Sequence, residues 1–213
     1  MNGFASKVTG WLALLVGIMG TLAIVTLLLF FMGLFQHIPS LSFMGGLNDR
    51  INALTGFLSA LLASALHPAL QRRAPRLSLV LLISAWIGAI AITFGSWLII
   101  TGRADVELSS YYYLFGNGLI GIWSYMLNRF ASEQAVWPRN LTRLGLIASV
   151  LMMIGLLNFY GIILGWDGND FSPLLLGTGI SYVGIGILYP IWCLWLGRWI
   201  LSRQANRPLA MQE

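Results

Sequence analysis

The chain has 213 residues, of which 58% are hydrophobic and only 9% are charged. Soluble domains carry about 25% charged residues, so this composition excludes an ordinary soluble domain. The net charge of +5 does not form one basic patch, because the basic residues lie between long apolar runs.

Six apolar runs with few or no charges predict an all-α membrane protein, a bundle of six transmembrane helices. The runs lie near 8–35, 51–70, 77–101, 111–130, 141–166 and 174–201. Each exceeds the roughly 18 residues that indicate a membrane-spanning helix. The first run is too long for the core of a signal peptide, and no small-residue cleavage site follows it. We therefore expect residues 1–213 to form a single transmembrane domain that ends in a flexible cytoplasmic tail, 202–213.

The basic residues alternate along the chain in a way that predicts the orientation. With the N-terminus inside, the cytoplasmic segments contain Lys7, Arg72, Arg73, Arg76, Arg129, Arg139, Arg143, Arg198, Arg203 and Arg207. The outer loops contain Arg50, Arg103, Asp49, Asp105, Glu107, Asp167 and Asp170. Because lysine and arginine favour the cytoplasmic side, we expect a multi-pass protein of the bacterial inner (cytoplasmic) membrane, N-in and C-in. The basic loops then face anionic lipid, so the bilayer is the expected partner and nucleic acid is not.

Stripes of small residues predict which helix faces pack together, because close backbone approach drives helix association in lipid. The stripes are Gly56, Ala60 and Ser64; Ser84, Gly88, Ala91 and Gly95; and Gly177, Ser181 and Gly184. Spacings of three and four place each set on one helix face. In the sixth helix, Pro190 lacks a backbone donor and predicts a kink.

The fourth helix is unusually polar, and this predicts a candidate site. Asn117 and Asn128 lie on one face, and Asn158 of the fifth helix lies at a depth similar to that of Asn117. Since amides facing lipid are costly, we expect them to turn inward. One hypothesis is a ligand pocket open to the outer face, formed by Asn117, Asn158, Ser181, Tyr182 and Ser96. The alternative is interhelical hydrogen bonding alone, worth about 0.6 kcal/mol per contact.

Reactive groups are scarce in the predicted helices. No Asp, Glu or Lys lies within a predicted span, which disfavours proton-coupled transport. His37 and His67 fall near opposite ends of the helices, and Cys193 is the single cysteine. We therefore expect no catalytic residue, no metal and no cofactor. An unrecognised intramembrane enzyme is the exception, and His67 or Ser181 would be tested for it.

The second half of the chain resembles a widespread, uncharacterised family of bacterial six-helix integral membrane proteins. The resemblance rests on WPRNLTRLGLIASVLMMIGLL at 137–157 and YPIWCLWLGRWI at 189–200. It covers about one third of the chain, implies the six-helix architecture and supplies no catalytic residues.

These observations predict a non-enzymatic accessory protein, or one that binds a ligand or lipid. The alternative is a small transporter or a channel-forming subunit. A membrane protein partner or a homo-oligomer is compatible with either function.

Overall fold

The computed structural model describes residues 3–72, 74–164 and 173–205. This part of the chain contains helices α1 (Gly3–Phe35), α2 (Phe43–Gln71), α3 (Pro75–Ile100), α4 (Val106–Glu133), α5 (Arg139–Ile154), α6 (Asn158–Leu164), α7 (Pro173–Val183) and α8 (Tyr189–Ala205). A 3₁₀ turn, Pro39–Leu41, precedes α2, and another, Gly155–Leu157, joins α5 to α6. A π-helical turn, Gly184–Leu188, joins α7 to α8. The described residues therefore form six helical segments.

The six segments form a closed, antiparallel ring. Each segment packs against the next, and α8 returns to pack against α1. In that closing contact Gly10 and Gly17 of α1 lie against Leu201 and Leu194 of α8, which shows that the two helices are antiparallel. Short connections between successive helices favour such neighbours.

Charge differs between the two ends of the ring. The acidic end, where α2 and α4 begin, contains Asp49, Asp105 and Glu107 together with Arg50 and Arg103. The opposite, basic end contains Lys7, Arg72, Arg76, Arg129, Arg139, Arg143, Arg198 and Arg203, with Glu133. Arg73, Arg207, Asp167 and Asp170 lie outside the described residues. The predicted segregation of charge therefore holds for the described part of the chain.

Helix α2 begins at Phe43, eight residues before the predicted span at 51–70. Asp49, which the sequence placed in an outer loop, is therefore helical and lies in the apolar stretch Pro39–Gln71. Likewise, α4 begins at Val106 rather than near residue 111, with Asp105 accepting a hydrogen bond from the Leu108 amide at 2.8 Å.

The last helix also extends beyond its predicted end. Helix α8 reaches Ala205, so the first four residues of the predicted tail, 202–205, are helical. Residues 206–213 of that tail, and residues 165–166 at the end of the fifth predicted span, lie outside the described part of the chain.

Five helical stretches are long and apolar enough to cross a membrane: Ser6–Phe35, Pro39–Gln71, Pro75–Ile100, Arg139–Tyr160 and Gly177–Gln204. Large apolar side chains on their outer surfaces are exposed, for example Leu28 at 62% and Ile90 at 64%. Helix α4 is not among the five. Between Leu108 and Phe130 it has no exposed large apolar side chain, because neighbouring helices cover it.

The small-residue stripes lie at helix contacts, as predicted. On α3, Gly88 and Gly95 pack against α4, and the Ser84 hydroxyl donates to the Leu119 carbonyl at 2.9 Å. On α2, Gly56 packs against Ile92 of α3. The stripe on α7 and the π-helical turn meets α5, where Gly184 lies against Leu151, Met152 and Ala148.

Where the sequence predicted a kink at Pro190, the structure has a π-helical turn, Gly184–Leu188, which ends two residues before the proline. Proline at position 190 cannot donate to the carbonyl of residue 186, and its ring crowds that carbonyl. A wider turn relieves both problems, and such turns occur frequently at functional sites.

Candidate functional site

A cavity of about 710 Å³ lies inside the acidic half of the ring. Its lining reaches from Leu34, Ile99 and Val106, near helix ends, to Gly56 and Tyr189 near the middle of the bundle. The distance from Gly45 to Gly56 along α2 is about 16 Å by helical rise, which gives the depth. We call this space the acidic-end cavity.

The walls of the acidic-end cavity differ in polarity. The α1 wall is entirely apolar: Gly20, Ala23, Ile24, Leu27, Phe30, Phe31 and Leu34. The α2 wall is mostly polar: Gly45, Asn48, Asp49, Asn52, Thr55 and Gly56. Helix α4 adds Glu107, Tyr111, Tyr113 and Asn117, among other residues. A cavity with an apolar wall and a polar wall suits an amphipathic molecule, since ligand sites combine apolar surface with a few placed polar groups.

Three of the five predicted site residues, Asn117, Ser96 and Tyr182, line this cavity. Asn117 is 6% exposed, and its Nδ2 donates to the Tyr113 carbonyl at 2.9 Å within the same helix. The Tyr182 ring stacks on the Tyr113 ring with their centroids 5.9 Å apart. These residues belong to three different helices, so the ring brings them together.

The other two predicted residues, Asn158 and Ser181, lie behind the cavity wall, where α5 and α6 meet α7. The Asn158 amide donates to the Gly155 carbonyl at 3.1 Å and accepts from the Thr178 hydroxyl at 3.3 Å. Ser181 is fully buried, and its hydroxyl donates to the Met152 carbonyl at 3.5 Å. Asn158 and Ser181 therefore hydrogen-bond between helices, which is the role given by the alternative to the pocket hypothesis.

Sequence reasoning missed the residues that give the cavity its chemistry. Asp49 was placed in a loop, and the apolar α1 wall carries no signal, because α1 is hydrophobic on every side. Tyr189 was also missed. It is 2% exposed at the cavity floor, and its buried hydroxyl has no hydrogen-bond partner. Ser59 and Cys193 lie close to this hydroxyl.

A second cavity, of about 680 Å³, lies at the basic end. Its lining includes Thr9, Trp137, Trp199 and Arg203, and the Arg203 guanidinium lies 4.3 Å from the centre of the Trp199 ring. We call it the basic-end cavity.

Tightly packed side chains occupy the middle of the bundle, between the floor of the acidic-end cavity and the basic half. Trp192 and Leu196 of α8, Leu62 of α2 and Val16 of α1 are completely buried. Trp192 stacks on Tyr189 at 5.7 Å and donates from Nε1 to the Asn128 Oδ1 at 3.1 Å. Asn128 in turn donates to the Ser124 carbonyl at 2.9 Å, so both of its amide groups are hydrogen-bonded.

Residues with potential for other chemistry do not line either cavity. The His67 Nδ1 and the Ser78 hydroxyl are 2.7 Å apart, near the basic ends of α2 and α3. Cys193 is buried in the core. Within residues 3–72, 74–164 and 173–205, no group of three His, Cys, Asp or Glu side chains could hold a metal ion. Ser181 and His67 contact different groups and do not form a nucleophile–base pair.

Comparisons with protein-family models, with curated proteins and with solved structures found no match to this chain.

Proposed function

We propose that this protein is a multi-pass membrane protein that binds a small amphipathic molecule or a lipid in the acidic-end cavity. The observation that carries the proposal is the cavity itself: about 710 Å³, with an apolar wall from α1 and polar side chains from α2 and α4. Binding of this kind needs no catalytic group. It is therefore compatible with an accessory protein that acts together with a membrane partner or as a homo-oligomer.

The proposal includes six membrane spans, with the basic end at the cytoplasmic face of the bacterial inner membrane. Lysine and arginine favour the cytoplasmic side, and eight of the described basic residues lie at that end. Helix α4 is the sixth span. Its lower hydropathy is acceptable in a span, because protein rather than lipid covers its middle.

Native mass spectrometry of protein released gently from its own membranes tests ligand binding. We expect a bound lipid or small molecule on the wild type. Asn52→Trp should reduce its occupancy, because Asn52 is half-buried in the cavity wall and the larger ring would take up part of the cavity. Ile90→Trp is the matched control, because Ile90 is 64% exposed and lies outside the cavity lining. Equal occupancy in both variants would contradict the proposal.

The asparagines separate cavity binding from helix packing. Asn117→Leu should reduce occupancy of the cavity, whereas Asn158→Leu should leave occupancy unchanged and lower thermal stability. The reason is that Asn117 lines the cavity, while Asn158 bonds Gly155 and Thr178 behind the wall. The pocket hypothesis fails if both variants retain every bound molecule.

The second candidate function is transport of the ligand, and the basic-end cavity is the observation that favours it. Two cavities of similar volume, at opposite ends of one bundle, would need only rearrangement of the core around Trp192 to become continuous. Flux of the identified ligand into proteoliposomes tests this function. Binding without flux would leave the accessory function as the conclusion.

A further inference from the structure

We propose that the molecule bound in the acidic-end cavity carries an ammonium-type positive charge on an apolar body. This inference rests on the proposed function and specifies its ligand class. Two features of the cavity lining support it: the sign of its charged groups and its aromatic rings.

The charged side chains of the cavity lining are all acidic. Asp49 is half-buried in the α2 wall, and Glu107 is exposed at the mouth. No Lys, Arg or His is among the described lining residues. Arg50 is near enough to Asp49 to interact electrostatically, but its side chain is exposed. The two residues do not form an ion pair within 4 Å, because the one described pair at that distance is Arg129–Glu133. A cation inside the cavity would therefore meet carboxylates that have no bound basic partner.

Aromatic rings surround the same space. Phe30 and Phe31 come from α1, Tyr111 and Tyr113 from α4, Tyr182 from α7 and Tyr189 from α8. The faces of aromatic rings attract cations, and rings from several directions are the usual means of holding a quaternary ammonium group. The apolar residues of α1 then accommodate the body of the same ligand, which disfavours a small, strongly hydrated metal cation.

Two probes of nearly identical shape and opposite charge, tetraphenylphosphonium and tetraphenylborate, test the sign of the preferred charge. Their binding to the full chain is measured by equilibrium dialysis in an uncharged detergent. We expect the cation to bind at least tenfold more tightly, a difference of about 1.4 kcal/mol. Asp49→Asn should remove most of this preference. Asp105→Asn is the matched control: it changes the net charge equally, lies at the same end outside the cavity lining, and retains helix capping.

The outcomes separate this inference from the proposed function. The ligand class is wrong if the anion binds as well as the cation, if neither probe binds, or if the two asparagine variants behave alike. In those cases, a ligand whose binding in native mass spectrometry depends on the cavity would still support the proposed function. If Asp49→Asn does not fold, Glu107→Gln provides the same comparison at the mouth.

Competition identifies the source of the ammonium group. If added phosphatidylethanolamine displaces tetraphenylphosphonium and phosphatidylglycerol does not, the ligand is a lipid headgroup. If neither lipid competes, the ligand is a free organic cation. Either result supports the inference, because both ligands share the charged group that the cavity recognises.

Discussion

The contact between α3 and α4 gives the sharpest test of the fold, because it positions the α4 wall of the cavity. Gly116 lies directly against Gly88, so the two backbones touch. A Cβ added at Gly116 would lie 2.5 Å from the Gly88 carbonyl oxygen and 2.7 Å from the Ile92 Cγ1. Real Cβ atoms essentially never approach closer than 3.0 Å, so Gly116→Ala must move α4 away by at least 0.5 Å.

The cost of Gly116→Ala follows from this geometry. The clashing oxygen belongs to the backbone and cannot rotate aside, so the whole interface must shift. Overpacking of this kind costs about 1–3 kcal/mol. Interhelical contacts would also lengthen, such as the 2.9 Å hydrogen bond from Ser84 to the Leu119 carbonyl. We expect a lower midpoint of thermal unfolding in detergent, followed by tryptophan fluorescence.

Gly179→Ala is the matched control. Gly179 is an exposed position in α7, and nothing lies within 4 Å of an added Cβ. Alanine is a better helix former than glycine by up to about 1 kcal/mol, so this variant should be as stable as the wild type or more stable. If Gly116→Ala were as stable as Gly179→Ala, the proposed close contact between α3 and α4 would be refuted.

Three further predictions concern the core, a turn and the topology. Asn128→Leu leaves the buried Trp192 indole N–H without its acceptor and should lower the free energy of unfolding by about 1–3 kcal/mol, as measured by thermal unfolding. The double variant Asn128→Leu/Trp192→Phe should recover part of this loss, because it lacks the unpaired N–H. Ala135 has a φ of 50° at the end of α4, so Ala135→Gly should raise stability by about 1 kcal/mol, and an unchanged melting midpoint would contradict this. In a Cys193→Ala background, a membrane-impermeant maleimide should label Thr101→Cys but not Ser132→Cys in intact cells. The reverse pattern would invert the proposed orientation.

Much of the fold was accessible from the sequence because it depends on long apolar runs and on the spacing of small residues. The small-residue stripe containing Gly88 and Gly95 predicted a contact with one partner, and that partner is α4. Helix starts were less predictable. Asp49 ended an apolar run but not the helix, and it lines the acidic-end cavity.

The site was only partly accessible for a different reason. Depth along a helix can be counted from the sequence, and it correctly grouped Asn117 with Ser96. The direction in which a side chain points around the helix axis cannot be counted from the sequence once the helix is irregular. The 3₁₀ turn Gly155–Leu157 precedes Asn158 and alters its direction, so that its amide faces α7 instead of the cavity.

The two asparagines on one face of α4 have different roles, although their surroundings in sequence look alike. Asn128 is completely buried, and its amide links α4 to Trp192 of α8. The Nδ2 of Asn117 bonds only within its own helix, to Tyr113, so this bond adds nothing to the contact between helices. A polar group that lines a cavity and links no helices is best explained by a ligand. Asn128→Leu should therefore reduce stability at constant occupancy, whereas Asn117→Leu should reduce occupancy at constant stability. The opposite pairing in melting and native mass spectrometry would show that the polar face of α4 only packs helices.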